Sequence, residues 1–130
     1  MTTILINPPG LQKPVGYSHG AVRTGKMLFI AGQTGTDLEG KLISDDLVAQ
    51  FEKAIGAVVQ VVTEANGGPE DIVKINLLVV DKKEYRDRGK DIGQAYRKHM
   101  GRHFPPMTLA EVKGLWDDAK VEIEAVAMLD

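Results

Sequence analysis

Residues 72–80 read Ile-Val-Lys-Ile-Asn-Leu-Leu-Val-Val, a run rich in β-branched residues and nearly continuous in apolar ones. A strand with one wet face would alternate apolar and polar residues, so this pattern predicts a central strand covered on both faces. The sheet is therefore built around it. Upstream, Leu47, Phe51, Ala54, Ile55, Val58, Val61, Val62 and Ala65 recur at intervals of three and four, drawing one buried stripe along a helix. Asp45 and Asp46 stand where acids favour a helix start, and Asn66-Gly67-Gly68-Pro69 ends it.

Further out, Thr3 to Ile6 reads as a short strand stopped by Asn7-Pro8-Pro9-Gly10, since proline removes a ladder donor and Pro-Gly favours a turn. Tyr17 to Arg23 and Met27 to Ala31 suit two strands of a hairpin joined around Thr24-Gly25-Lys26. Downstream, Tyr85, Ile92, Tyr96 and Met100 place a helix over Lys82 to Met100, although Gly89 and Gly93 weaken it. After Phe104-Pro105-Pro106, strands follow over Thr108 to Lys113 and Lys120 to Met128. The order β-β-β-α-β-α-β-β predicts an α+β fold, a sheet with two helices packed on one face.

The chain has 130 residues, a length that suits a single domain over 1–130. With 43% hydrophobic and 26% charged residues it has the composition of a soluble globular protein. No apolar run approaches the roughly 18 residues that span a bilayer, and the N-terminal stretch lacks a basic start, so a cytoplasmic protein without membrane contact is expected. The absence of cysteine excludes disulfides, a thiol nucleophile and thiolate metal sites. A net charge of -2 argues against nucleic acid as a partner, because phosphate backbones are gripped by clustered Lys and Arg.

Gly35-Thr36-Asp37-Leu38-Glu39-Gly40-Lys41-Leu42 approaches the phosphate-cradling loop G-x-x-x-x-G-K-[ST], but Leu42 replaces the magnesium-holding hydroxyl and two acids would repel a phosphate. A plain turn is expected. His99 and His103 lie four apart, yet Gly101 interrupts the helix and no third ligand has credible spacing, so two solvent-facing histidines and no metal site are expected. No Gly-x-Ser-x-Gly elbow supports nucleophilic catalysis. In Val121-Glu122-Ile123-Glu124-Ala125 both glutamates point away from the apolar face. Such carriers are usually solvated, but a glutamate covered by a neighbouring subunit would have its pKa raised toward the range useful for moving protons.

Taken together, Val15-Gly16-Tyr17-Ser18-His19-Gly20, Leu28-Phe29-Ile30-Ala31-Gly32-Gln33, Asp71-Ile72-Val73-Lys74, Phe104-Pro105-Pro106-Met107-Thr108-Leu109-Ala110-Glu111-Val112 and Val121-Glu122-Ile123-Glu124-Ala125-Val126-Ala127 resemble the RidA/YjgF family, formerly described as L-PSP endoribonuclease. The resemblance implies a chorismate-mutase-like α+β fold and homotrimers with three ligand clefts between neighbouring subunits. It implies hydrolysis of reactive enamines and imines to keto compounds and ammonia, without metal or cofactor. By the same resemblance Glu122 and Tyr17 are the catalytic residues, Gly32 turns its backbone to the ligand, and His19, Met107, Thr108 and Leu109 complete the substrate-binding set.

The family's arginine, which would grip a substrate carboxylate through a bidentate fork, falls at Met107. Its cysteine falls at Leu109, and its second-helix asparagine near Gly89 and Lys90. The expectation is a divergent, arginine-lacking subgroup whose small-molecule ligand lacks the carboxylate or carries a larger apolar group there. His19, Arg97 or Arg102 are alternative sources of the missing charge. A non-catalytic trimer that binds a metabolite is the rival reading. Ribonuclease activity is a third, disfavoured by acidity and an aromatic content of 5%.

Overall fold

The computed structural model describes residues 2–130. Strands β1 (Ile4–Ile6), β2 (Gly20–Val22) and β3 (Lys26–Gln33) precede helix α1 (Leu47–Glu64), which leads into β4 (Ile72–Val79). Helices α2 (Lys82–Asp87) and α3 (Gly89–Met100), then β5 (Met107–Glu111) and β6 (Val121–Leu129), complete the chain. The principal sheet has the order β3-β6-β4-β5, with β6 antiparallel to both neighbours and β5 parallel to β4. A parallel pair needs a crossover, and α2 with α3 supplies it.

The core lies between the helices and one face of this sheet. Leu47, Phe51, Ala54, Ile55, Val58 and Val62 of α1 are buried, and they pack on a layer drawn from Ile75, Leu77, Val79, Val121, Ile123, Ala125 and Ala127. Val61 and Ala65, assigned to the same stripe from the sequence, are only partly buried, whereas Gln50 lies within it. Asp46 caps α1 by accepting a hydrogen bond from the Ala49 amide at 3.0 Å.

Four expectations are corrected. The hairpin across Thr24-Gly25-Lys26 does not form: β2 pairs with β1 in a separate two-stranded ribbon, and β3 pairs with β6. Gly25, at φ +145°, lets the chain pass directly over the Leu129 carbonyl, where a side chain would collide. Arg23, whose side chain is 2% exposed, ties the ribbon to Asp71 and, at 2.9 Å, to Asp130. Second, the helix expected over Lys82 to Met100 is two helices that meet at Arg88, so three helices accompany the sheet.

Third, β4 is covered on one face only within the chain. Its residues alternate between buried and half-buried, and helices leave the side of Lys74, Asn76 and Leu78 open. Exposed Met27 and Phe29 of β3 extend the same open face. Fourth, His99 and His103 are not two solvent-facing histidines. His103 Nε2 meets the Ile72 carbonyl at 2.7 Å, and His99 packs against Gly56 with Glu52 at 3.7 Å. Gly101 does end the helix, at φ +61°. No helix of the described residues is long and apolar enough to cross a membrane.

Candidate functional site

The start of β5 organises one half of the site. The Pro106 carbonyl accepts from the Ile75 amide at 3.0 Å, so β5 enters the sheet with Met107 opposite Ile75. One residue earlier, the Pro105 carbonyl accepts from the Ser18 amide at 3.4 Å, which brings the Tyr17 loop to the same place. Side chains alternate along a strand, so Met107 and Leu109 turn toward the helices and Thr108 turns to the open face.

Tyr17, Met107 and Leu109 line a cavity of about 680 Å³, within the range of small-molecule sites. Phe51, Leu77 and Phe104 form its apolar base, and α3 supplies the opposite wall through Gly89, Ile92, Gly93, Tyr96 and Arg97. These α3 positions recur at three and four, so a single helix face is presented. A Cβ added to Gly89 would meet nothing within 4 Å, which is the physical reason the cavity is open there.

Tyr85 and Tyr96 also border the cavity, and they act as neutral walls. Burial pushes the Tyr85 phenol up to about 12, and burial, with a smaller contribution from Tyr85, raises Tyr96 as well. The Tyr96 hydroxyl donates to the His103 carbonyl at 2.6 Å, and its ring stacks on Phe104.

The other half lies on the open face of the sheet. Between Ile30 and Gln33 a β-bulge interrupts the pairing of β3 with β6 and sets Gly32 against Glu122. A Cβ on Gly32 would overlap the Glu122 carboxylate. The two glutamates of β6 differ: Glu124 is exposed and accepts from Asn76 Nδ2 at 3.0 Å, while Glu122 is half-buried and has no hydrogen-bond or ion-pair partner among the described residues.

The proposed site residues therefore separate into two groups. Tyr17, Met107 and Leu109 share the cavity, whereas Glu122, Gly32 and Thr108 lie on the opposite face, where Thr108 accepts from Lys74 Nζ at 3.1 Å. His19 does not line the cavity. Its ring packs edge-on against Tyr17, with centroids 5.4 Å apart, and Nε2 donates to the Gln12 carbonyl at 2.6 Å. Of the three charges the sequence offers as alternatives, only Arg97 lines the cavity, and Gly93, which reads from the sequence only as a helix weakness, joins Gly89 and Arg97 on that wall at intervals of four.

The family model described as "Endoribonuclease L-PSP" matches residues 10–129. The chain belongs to the RidA/YjgF family. Within the family, it is 34% identical over 126 residues to a RutC family protein of Aquifex aeolicus, covering 95% of this chain and 97% of that one. It is 24% identical over 115 residues to the human 2-iminobutanoate/2-iminopropanoate deaminase, covering 88% of this chain and 81% of the human one. The solved structure of the Rid-family protein YyfB from Yersinia pestis superposes with a TM-score of 0.88 at 28% identity, covering 99% of this chain and 100% of that one. The fold is thus the YjgF/RidA fold.

Proposed function

We propose that this Rid-family chain hydrolyses a reactive imine, or its enamine tautomer, to a carbonyl compound and ammonia. The observation that carries the reading is Glu122, a half-buried carboxylate held over bare backbone at Gly32 and committed to no partner among the described residues. A free carboxylate in such a place can act as a general base, an effect worth about 10²–10⁴ in rate. The naming of the human relative as an imine deaminase supports the same reaction class.

In the proposed step, Glu122 takes a proton from water as the water oxygen bonds to the imine carbon. Glu122 delivers that proton to nitrogen to complete the carbinolamine, then carries the hydroxyl proton to nitrogen as well, so that the C–N bond breaks, ammonia leaves and the carbonyl forms. Tyr17 positions the substrate. The reaction exchanges water for ammonia and requires no change of oxidation state.

Glu122 and the Tyr17–Met107 cavity lie on opposite faces of one chain, so the reading includes a homotrimer in which the cavity of one subunit meets Glu122 of the next. The open sheet face supports this, because Phe29 is 72% exposed and Met27 58% exposed. Met107 stands where the family resemblance places an arginine. A thioether cannot clamp an anion, so the reacting carbon carries no α-carboxylate but an apolar group.

Ammonia release from freshly generated imines tests the reading, with amino-acid-derived and α-carboxylate-free substrates compared on wild type, Glu122→Gln and Met107→Arg. Wild type turns over the α-carboxylate-free set, Glu122→Gln loses turnover, and Met107→Arg gains the amino-acid set. Full activity in Glu122→Gln would sink the assigned role. Absence of turnover in every protein would favour the second reading, a metabolite-binding protein, for which the apolar cavity is itself the supporting observation.

A further inference from the structure

Among the side chains that line the cavity, Arg97 alone carries a charge. Its guanidinium has no hydrogen-bond or ion-pair partner among the described residues. Two other cations near α3 are committed, Lys98 to Glu52 at 2.7 Å and Arg88 to Asp46 at 2.9 Å, and Lys90 lies outside the cavity lining. His19 stands behind Tyr17, and Arg102 lies outside the cavity wall.

The local sequence holds Arg97 in place. Long side chains on a helix lean toward its N-terminus, over the residue four positions earlier. That residue is Gly93, and Arg97 Nη1 lies 3.1 Å from where a Gly93 Cβ would stand. A methyl group at 93 would press on the guanidinium slightly, and a longer side chain there would displace it. One turn further back, Gly89 leaves the space beside it empty. Two glycines and an arginine at intervals of four thus make a slot with a cation at one end and apolar walls around it. Arg97 is itself exposed, so its guanidinium is open to a ligand, and its planar fork matches a carboxylate in shape.

We infer that Arg97 is the anion-binding residue of this cavity, and that it selects a ligand with an apolar or aromatic body and a carboxylate at the α3 end. The inference deepens the hydrolase reading and rests on it for the identity of the reacting group: the substrate is an imine whose carboxylate is set apart from the reacting carbon by an apolar spacer. Met107 meets the apolar part and Arg97 the charge, so the charge is read from a helix instead of from the first residue of β5.

Calorimetric titration with 4-phenylbutyrate and its uncharged amide tests this without any turnover. Wild type is expected to bind the carboxylate about tenfold or more tightly than the amide, as one charge-assisted contact provides. Arg97→Gln removes that preference and leaves amide affinity unchanged, Arg97→Lys restores part of it, and Arg102→Gln behaves as wild type. Gly93→Leu weakens carboxylate binding in the same direction as Arg97→Gln. Equal affinity of wild type for the two probes, no binding of either, or an unchanged preference in Arg97→Gln would overturn the inference. If imine turnover is absent while the carboxylate preference stands, the hydrolase reading fails and Arg97 keeps its role; the converse removes Arg97 alone.

Discussion

Gly32 and Glu122 share one small volume: the bulge in β3 leaves the glycine without a side chain where the glutamate carboxylate lies. A methyl group on Gly32 must displace the carboxylate, and the displaced atoms are the end of a flexible side chain, so the fold absorbs the change. Gly32→Ala is expected to lower turnover by about tenfold to a hundredfold, the cost of misplacing a general base by about 1 Å, with little change in Tm. Combined with Glu122→Gln it should add nothing further, since both changes remove one function. Additive losses in steady-state kinetics would show that Gly32 acts independently of Glu122.

Gln50 links three segments from inside the core. It is 1% exposed, its Nε2 donates to the Ser44 carbonyl at 2.8 Å, and its Oε1 accepts from the Lys120 amide at 2.8 Å. Gln50→Leu keeps the volume but strands a carbonyl and an amide, and is expected to cost about 2–4 kcal/mol in urea denaturation. A loss below about 0.5 kcal/mol would mean that water reaches both groups.

The same residue marks how far the sequence could be read. The α1 stripe, the paired glutamates of β6 and the start of β5 just after Pro105-Pro106 follow from period and from the proline pair, because each depends on neighbours along the chain. Gln50 sits within the buried stripe because of Ser44 and Lys120, partners that no local pattern reveals. The β1–β2 ribbon is hidden for a similar reason, since the passage of Gly25 over Leu129 is a contact between distant segments. In the candidate site, strand alternation places Thr108 on the other face from Met107 and Leu109, a separation legible from the sequence alone. The resemblance points to Gly89 and Lys90 as a site position and to Arg97 as a possible charge, but only the fold puts Gly89, Gly93 and Arg97 on one cavity wall.

Asp46 predicts a pH dependence of stability. Its carboxylate accepts from Arg88 at 2.9 Å and caps α1 through the Ala49 amide, and Arg88 first, then that amide, hold its pKa below the ordinary value of 3.8. A depressed folded-state pKa contributes stability above the unfolded value and loses it as pH falls through the folded one. Asp46→Asn keeps the cap and removes the charge pair, which is partly exposed and screened by solvent. Wild type is therefore expected to exceed Asp46→Asn by about 0.5–1 kcal/mol at neutral pH, with the gap closing by about pH 2–3. A gap that is constant with pH, measured by chemical denaturation, would remove the charge from the account.

The separation of Glu122 from the cavity yields the sharpest test of a shared site. Tyr17→Ala damages the cavity half and Glu122→Gln the carboxylate half, and each variant alone should be inactive. Dissociated, mixed in equal amounts and reassembled, the two chains form hetero-oligomers in which an undamaged cavity of one faces an undamaged carboxylate of the other. If a site draws its halves from two neighbouring subunits, random assembly leaves about a quarter of the sites intact, and about a quarter of wild-type activity should return. Light scattering should report a mass three times the 14.2 kDa of the chain for wild type and for the mixture. No recovery from a mixture of that mass would place both halves within one subunit's reach and dissolve the intersubunit site, because only a site divided between chains can be repaired by a partner carrying the other defect.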